Sequence, residues 1–407
     1  MKQKIKNKEM DMINGGIAGN LIIFALPVAF SSIMQQLFNS ADVAVVGRFA
    51  GDNALAAVGS CVALVGIFQS SFCSIVSGTP ESVMGQALLY IWIYFTGIPF
   101  IVICNFGSAI LRSFGDTRHP MYYLIISGIV NVALNLFLVI CFHMGVAGVA
   151  IATVISNILS AALVLICLYR RDDEFQFRFR RLRLEKDGLS KVLVIGIPSG
   201  IQGAIFSISN VFIQSGINSF GENAIAGSSL ALNFEYFTYY IANAFAQAAV
   251  TFTSQNFGAG KLKRCRKIFR LCMVFGVVFT ELLAVVFMVW DDFFVSIYTI
   301  SDAVAAYGLI RMHHVCSLEG LTATYEVESA ALRGMGKSVE PSIVTILGTV
   351  VFRMIWMVTV FRWVPTYEML MDVYVASWIF TGGVIFFIYL YHMKKAEKRY
   401  QPQENER

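Results

Sequence analysis

Three polar residues in the first long apolar run of the chain have types and spacing that suit ion or ligand binding. Gln35, Asn39 and Asp42 are spaced i, i+4 and i+7, so a helix would place them on one face. A carboxylate inside a membrane helix is costly unless it faces a cavity or a partner, which makes Asp42 a functional candidate. The alternative is that Asp42, near the end of the run and just before Arg48, is simply solvated at the membrane edge.

A second polar stripe lies further along the same half of the chain. Ser127, Asn131 and Asn135 recur at i, i+4 and i+8, so a helix would again present all three on one face. One Asn in a membrane helix often only joins two helices, at about 1 kcal/mol. Because three polar groups are aligned here, a polar cavity is as good an interpretation as a helix–helix contact. Thr153 in the next apolar run could contribute to that cavity.

The second half carries acids within its apolar runs, at Glu235, Glu319, Glu326 and Glu328. Glu319 and Glu326 are seven residues apart and share a helix face. Arg353, in a later run, could neutralise one of these acids, because charges inside membranes are usually paired. A structural ion pair is therefore at least as good an interpretation as a substrate-binding role.

Motifs of enzymes and metal sites are missing from the sequence. His313 and His314 are adjacent, so their side chains point in different directions and do not resemble metal ligands. The sequence has no H-E-x-x-H, P-loop or G-x-S-x-G motif, which leaves enzymatic chemistry without support. The eight cysteines form no C-x-x-C pair, and we interpret them as small apolar residues in helix packing.

Composition indicates which elements must position these residues. Hydrophobic residues make up 57% of the 407-residue chain and charged residues only 14%, whereas soluble domains carry roughly a quarter charged residues. Period-2 alternation, the mark of a membrane β-barrel, is missing. The sequence predicts an all-α polytopic membrane protein with about 11 transmembrane segments of the ~20 residues that a crossing needs. The runs are 21–47, 54–77, 84–111, 121–142, 147–168, 192–217, 224–257, 268–289, 304–331, 342–360 and 369–393.

Basic residues concentrate in short segments beside the apolar runs. Positive charge in short loops marks the cytoplasmic side, so we expect these segments inside and the acidic loop at Asp291 and Asp292 outside. Because topology explains the basic residues, no nucleic-acid partner is expected, and no obligate protein partner is evident. The basic segments are residues 2–8, 170–191, 261–270 and 394–399.

Two landmarks recur and indicate that the chain is built from two related halves. Asn53 and Asn223 occupy matching positions at an offset of 170, whereas the pattern Leu-Arg-x-x-Gly at Leu111 recurs at Leu332 at an offset of 221. The difference of 51 residues predicts that the first half lacks one helix and a loop, leaving five helices against six. Duplicated halves are typical of transporters that open alternately to each side of the membrane.

Several stretches in both halves, in matching order, resemble a known family. They are Phe24-Ala25-Leu26-Pro27, Leu37 to Asp42, Val46-Gly47-Arg48, Leu111 to Pro120, Gly145 to Thr153, Ser254 to Ala259 and Leu332 to Ser338. Together they resemble the multidrug and toxic compound extrusion (MATE) family, over about residues 14 to 393. The resemblance implies two six-helix-type bundles related by an internal repeat, the first lacking one helix.

The resemblance also implies export of cationic, amphipathic compounds in exchange for Na⁺ or H⁺ across the cytoplasmic (inner) membrane of a bacterium. The family's first-helix acid falls on Asp42, which would be the coupling carboxylate. The family's Asn-x-x-x-Asp stripe falls on Asn131 and Asn135, so this chain lacks the second carboxylate. Asp42, Asn131, Asn135 and Thr153 could still ligate a hard cation through oxygen atoms. No cofactor is implied besides the coupling ion.

The expected substrate cavity contains Gln35, Asn39, Glu235 and Glu326, with small cationic substrates and membrane lipids as partners. Substrate and coupling ion would compete for Asp42. One alternative is a flippase for lipid-linked saccharides with a related fold, for which a cavity lined by Arg and Lys would be expected. The other is a truncated, non-transporting membrane protein with only a scaffold role.

The expected domains are a shortened N-terminal bundle (1–168), a basic cytoplasmic linker (169–191), a C-terminal bundle (192–393) and a polar cytoplasmic tail (394–407).

The charge pattern and the number of apolar runs conflict in the first half. Three runs separate the Lys-rich N-terminus from Arg112, but two basic segments on the same side require an even number of crossings. We predict that run 54–77 enters from outside and does not complete its crossing. Ser77-Gly78-Thr79-Pro80 would be the turn back.

Overall fold

The computed structural model describes residues 10–49, 81–171, 176–178, 183, 185–296, 299 and 301–404. For residues 39–49, 81–84, 87, 207, 208 and 400–404 it describes the backbone alone. These residues form helices and no strand, which confirms the all-α fold. The run 54–77 and the turn predicted at Ser77–Pro80 lie outside the described residues.

Ten of the predicted apolar runs coincide with helices of the structure. Eight helical stretches of the described chain are long and apolar enough to cross a membrane, and one of them, Val339–Trp363, comprises several short helical segments. The bounds are α1 (Ile17–Phe49), α2 (Glu81–Ser113), α3 (Arg118–Leu136), α4 (Gly145–Tyr169), α5 (Lys186–Asn218), α6 (Glu222–Gly258), α7 (Leu262–Val289), α8 (Asp291–Ser296), α9 (Asp302–His314), α10 (Gly320–Gly334), α11 (Val339–Thr345), α12 (Phe352–Val358), α13 (Val360–Trp363) and α14 (Tyr367–Glu404).

Three predicted runs are less regular than the sequence suggests. Run 121–142 ends in a π-helical stretch at Phe137–Cys141, directly after α3. Run 304–331 is interrupted by a 3₁₀ turn at Cys316–Leu318, which separates α9 from α10. Run 342–360 contains a π-helical stretch at Ile346–Val351, between α11 and α12. Such irregularities inside a membrane-spanning helix are frequent at functional sites.

The chain packs as two compact units. Unit 1 contains Phe30–Arg183, and unit 2 contains Asp11–Ala29 together with Leu184–Arg407. Helix α1 therefore contributes its first part to unit 2 and its remainder to unit 1. Pro27, inside α1, lies close to this division. Because proline has no N–H, α1 lacks one helical hydrogen bond there.

Unit 1 is a bundle in which α2 and α3 both pack against α4. Its core at one end contains Leu111, Val164 and Leu168, all buried. Helix α1 meets α3 at Gly128, where a Cβ atom would collide with the Phe38 ring. A side chain at position 128 would therefore separate these two helices.

Unit 2 is organised around α6, which packs against α7, α9 and α10. The core between these helices includes Leu230, Phe234, Phe287 and Met312. The ring centroids of Phe234 and Phe287 are 5.1 Å apart. This aromatic core keeps the polar residues of α6 and α9 in fixed register.

The repeated Leu-Arg-x-x-Gly landmark forms the same turn in both units. The carbonyl oxygen of Leu111 accepts the N–H of Asp116 at 3.1 Å, and that of Leu332 accepts the N–H of Lys337 at 2.9 Å. The glycine between them has a positive φ in each copy, 85° at position 115 and 77° at position 336. Both are helix-ending Schellman motifs, which require a residue that tolerates left-handed backbone. The sequence repeat is thus also a structural repeat at this turn.

Basic segments of unit 2 meet at one end of the unit. Arg266 pairs with Glu397 at 2.5 Å, and the Ser338 hydroxyl donates to the carbonyl oxygen of Val194 at 3.0 Å. The first contact joins the start of α7 to the end of α14, and the second joins the residue before α11 to α5. The positive-inside rule assigns this end to the cytoplasm.

Candidate functional sites

The polar stripe predicted on α3 forms a buried cluster in unit 1. The Asn135 side-chain amide donates to Oδ1 of Asn131 at 3.3 Å, and that of Asn131 donates to Oγ1 of Thr153 on α4 at 3.5 Å. Asn135 is fully buried and Asn131 nearly so. Ser127, one turn earlier, is also buried and donates to the carbonyl oxygen of Leu124. The structure thus brings Asn131, Asn135 and Thr153 together.

The residues predicted on α1 are only partly described. Gln35 is exposed in unit 1. Asn39 and Asp42 lie on α1, but their side chains are outside the described residues. The described cluster therefore offers amide and hydroxyl oxygens, which hard cations accept as ligands. A carboxylate to bind the cation would have to come from a residue outside this cluster. The sequence analysis predicts that this residue is Asp42.

A buried ion pair lies in the interior of unit 2. Glu235 on α6 binds Arg311 on α9 through two contacts, Oε1 to Nε at 2.6 Å and Oε2 to Nη2 at 2.8 Å. The third guanidinium nitrogen of Arg311, Nη1, donates to the Ser228 hydroxyl at 2.6 Å. Both charged side chains are more than nine-tenths buried. Bidentate pairing of this kind fixes the geometry of both groups.

Arg353 was expected to neutralise one of the four acids, but Glu235 pairs with Arg311, and no ion pair of Arg353 occurs among the described residues. Arg353 on α12 is 1% exposed, and its Nε donates to the Ser377 hydroxyl at 3.0 Å. Its guanidinium lies 4.6 Å from the Tyr374 ring centroid, and that of Arg311 lies 5.2 Å from the same ring. Tyr374 is therefore shared by two buried cations.

The remaining acids of unit 2 differ in burial. Glu319 is 4% exposed, and its Oε1 accepts the Thr322 hydroxyl at 3.0 Å. Glu328 is buried as well, and within the described part of the chain neither its Oε2 nor that of Glu319 has a hydrogen-bond partner. Glu326 is half-buried. Of the described side chains proposed for the substrate cavity, those of Gln35, Glu235 and Glu326, that of Glu235 is thus the buried one.

The adjacent histidines point to separate carboxylates. Nε2 of His313 contacts Asp291 at 2.9 Å, and Nδ1 of His314 contacts Asp372 at 2.7 Å. No group of three potential metal ligands occurs among the described residues.

Arg311 is the site residue that the sequence analysis missed. A lone arginine inside the apolar run 304–331 was a usable signal, because a charge within a membrane segment needs a partner. Its identification as the partner of Glu235 required the register between α6 and α9. Gly227 and Gly308, which approach each other closely, set that register.

The family model MatE matches residues 27–88 and 198–359, more than half of the chain. The chain belongs to the MATE family. The Lipid II flippase MurJ family model matches a shorter stretch, residues 81–219.

Among the MATE relatives, the probable multidrug resistance protein YoeA of Bacillus subtilis is 26% identical over 277 residues. That alignment covers 66% of this chain and 60% of YoeA, so the match spans less than two thirds of the relative's length. The probable multidrug resistance protein NorM of Thermotoga maritima is 24% identical, over 81% of this chain and 83% of NorM.

The MATE fold is also seen by superposition. The solved outward-facing structure of a multidrug resistance MATE family transporter of the MOP superfamily has a TM-score of 0.85 and 18% sequence identity. The match covers 96% of this chain and 99% of that one. As a MATE protein, the chain is a multi-pass protein of the bacterial inner membrane, and its family is one of transporters rather than enzymes.

Proposed function

We propose that this MATE protein exports cationic, amphipathic compounds across the inner membrane in exchange for Na⁺ or H⁺. The observation that carries the proposal is the buried cluster of Asn131, Asn135 and Thr153 in unit 1, linked at 3.3 and 3.5 Å. Polar side chains that face the interior of a membrane bundle frequently mark ion and substrate pathways. Relatives named as multidrug resistance and export proteins support the drug as cargo.

The proposed coupling site consists of Asp42, Asn131, Asn135 and Thr153. Asp42 supplies the charge, and the amide and hydroxyl oxygens complete the ligands of a hard cation or accept the proton. Gln35, Asn39, Glu235 and Glu326 are the proposed substrate-binding residues.

Transport by the purified protein in liposomes tests the proposal. The expected result is ethidium movement driven by an imposed Na⁺ or pH gradient, and none when the gradient is collapsed. Protein-free liposomes are the control for leakage of the dye. If neither the Na⁺ gradient nor the pH gradient drives ethidium transport, the proposal is overturned and a non-transporting protein is favoured.

A second candidate function is the flipping of a lipid-linked saccharide. The observations that favour it are the MurJ match at residues 81–219 and the buried guanidinium of Arg353. Arg353 has no carboxylate in ion-pair contact among the described residues, and a guanidinium suits a phosphate. The same liposomes, loaded with a fluorescent lipid-linked saccharide, distinguish the two functions by which cargo moves.

A further inference from the structure

The ion pair between Glu235 and Arg311 leaves a second buried carboxyl group without a counter-ion. Arg311 uses Nε and Nη2 on Glu235 and Nη1 on Ser228. Glu319 receives only the Thr322 hydroxyl, on Oε1. Its Oε2 has no partner among the described residues, and the side chain is 4% exposed.

An ionised carboxylate in such a place is strongly disfavoured. Moving an unpaired charge out of water is far more costly than one hydroxyl contact can offset. A group in this position either carries a proton or acquires a cation. In this arrangement each nitrogen of Arg311 already contacts Glu235 or Ser228, and Oε2 of Glu319 has no partner among the described residues, so a proton neutralises Glu319.

The break between α9 and α10 places Glu319 beside the pair. Glu319 is the N-cap residue of α10, directly after the 3₁₀ turn that ends the α9 segment carrying Arg311. The break is held from α7, where Oε1 of Glu281 accepts the N–H of Gly320 at 2.8 Å. Glu235 and Arg311 are both close enough to Glu319 to influence its charge.

Other titratable groups packed around Glu319 come from several helices. Those that interact with it electrostatically, besides Glu235 and Arg311, are Tyr239 on α6, Glu281 on α7, Cys316 in the 3₁₀ turn, Tyr325 on α10 and Arg353 on α12.

We propose that Arg311 is an internal counter-ion that moves from Glu235 to Glu319 when a cationic substrate binds Glu235. Glu319 releases its proton in the same step. This inference rests on the proposed function, because it takes Glu235 as a residue that binds the cationic cargo.

The exchange conserves charge. Before it, Glu235 and Arg311 neutralise each other and Glu319 is neutral. After it, the substrate neutralises Glu235 and Arg311 neutralises ionised Glu319. One positive charge enters and one proton leaves, so the net charge of Glu235, Arg311, Glu319 and the bound substrate is zero before and after the exchange. Neutrality is the condition under which these groups remain stable in a low-dielectric interior.

The test measures proton release when purified protein binds ethidium in a weakly buffered detergent solution. Ethidium fluorescence reports binding, and a pH-indicator dye reports protons. We expect about one proton per bound ethidium and an affinity that rises up to about tenfold per pH unit, as linkage requires. Glu319→Gln should bind ethidium more weakly, because Arg311 then has no carboxylate to move to. Its binding should release no proton and depend little on pH. Glu319→Asp should retain the release.

Glu328→Gln is the matched control, because Glu328 is equally buried and its Oε2 also lacks a partner in the described structure. It should release protons as the wild type does. Thr322→Val is a second test that keeps residue 319 itself. Loss of the hydroxyl donor should move the pH midpoint of ethidium binding upward.

The proposed movement of Arg311 would be overturned by undiminished proton release in Glu319→Gln, by abolished release in Glu328→Gln, or by an unchanged pH midpoint in Thr322→Val. None of these results would contradict the proposed efflux function. If the wild-type protein bound no ethidium, the proposed function would fail together with the proposed movement of Arg311.

Discussion

The side-chain amide of Asn256 on α6 donates to the backbone carbonyl oxygen of Met12 at 3.0 Å. Arg264 donates to the same oxygen at 3.3 Å and to that of Gly15 at 2.8 Å. Lys261 reaches Oδ1 of Asn14 at 2.6 Å. The segment before α1 is therefore fixed on the basic end of unit 2. The carboxylate of Asp11 stabilises its turn, since the N–H of Asn14 holds the pKa of Asp11 below its usual range.

This attachment predicts that residues 11–16 lie in the cytoplasm, on the side of the basic loop at 261–270. Gly16→Cys, in a background without native cysteines, should react with an impermeant thiol reagent only from inside. Gly16 is exposed, and a Cβ there meets no atom within 4 Å. Asp302→Cys, at the start of α9, should react only from outside and serves as the opposite control. Outside labelling at position 16 would contradict the assignment.

Glu235 and Arg311 should stabilise the fold only as a pair. Glu235→Gln or Arg311→Met leaves one buried group uncompensated, at about 3–5 kcal/mol in the free energy of unfolding. The double variant removes both charges and should recover most of that loss. Thermal unfolding in detergent measures the effect.

The exposed pair of Arg266 and Glu397 provides the comparison for that experiment. Its side chains are 44% and 26% exposed, so Arg266→Ala should change the free energy of unfolding by less than about 1 kcal/mol. Additive single effects in the double variant would show that Glu235 and Arg311 do not act as a pair.

Periodicity was sufficient to predict one buried face of unit 1. The i, i+4, i+8 spacing identified Ser127, Asn131 and Asn135, and the structure buries all three. It succeeds because helical spacing alone determines which residues share a face. Hydropathy and length predicted the apolar runs, and ten of them coincide with helices of the structure.

Partners and helix breaks were not predictable in this way. Arg311 pairs with Glu235 across 76 residues, and the register of two helices, not the spacing along one, selects that partner. Run 304–331 contains no proline that would predict the interruption at Cys316–Leu318. There, the interhelical contact from Glu281 to Gly320 caps the new helix. Local sequence does not encode a tertiary cap of this kind.

Asp42→Asn should abolish ion-coupled efflux while the protein remains folded. Asn has the same volume but cannot release a proton or supply a negative charge to a cation. Drug resistance at matched expression, in a host without its own efflux pumps, is the measurement. Asp187→Asn, an exposed acid in the first turn of α5, should behave as wild type. Full resistance of the Asp42 variant would refute its coupling role.

Asn135→Asp should strengthen the dependence of efflux on Na⁺ or H⁺. Asn135 donates to Oδ1 of Asn131 at 3.3 Å, and a carboxylate would instead place two acceptor oxygens against each other. A cation or proton between them relieves that repulsion, which should raise the apparent ion affinity about tenfold, or about 1.4 kcal/mol.

Efflux rate against external Na⁺ at fixed pH, and against pH without Na⁺, measures the effect at position 135. Asn135→Ala separates loss of the amide from gain of the carboxylate. Identical curves for wild type and Asn135→Asp would mean that position 135 does not face the ion.

The ends of α1 and α2 determine the topology of the first half. Residues 12–15 contact the basic end of unit 2. In unit 1, Arg171 of the basic linker lies 4.8 Å from the Phe114 ring centroid, just after α2. Each contact assigns its own segment to the cytoplasm. If α1 and α2 each cross once, residues 49 and 81 lie on the outer side.

Run 54–77 should therefore start and finish outside, with Ser77–Pro80 as the predicted turn back toward α2. These residues lie beyond the described part of the chain, so the prediction rests on the crossing parity and on the polar stretch from Gln69 to Ser74. Gly78→Cys, in the same cysteine-free background, should react with the impermeant thiol reagent from outside, as Asp302→Cys does and Gly16→Cys does not. Labelling of position 78 only from the cytoplasm would show that run 54–77 spans the membrane completely. In that case either α1 or α2 would fail to cross.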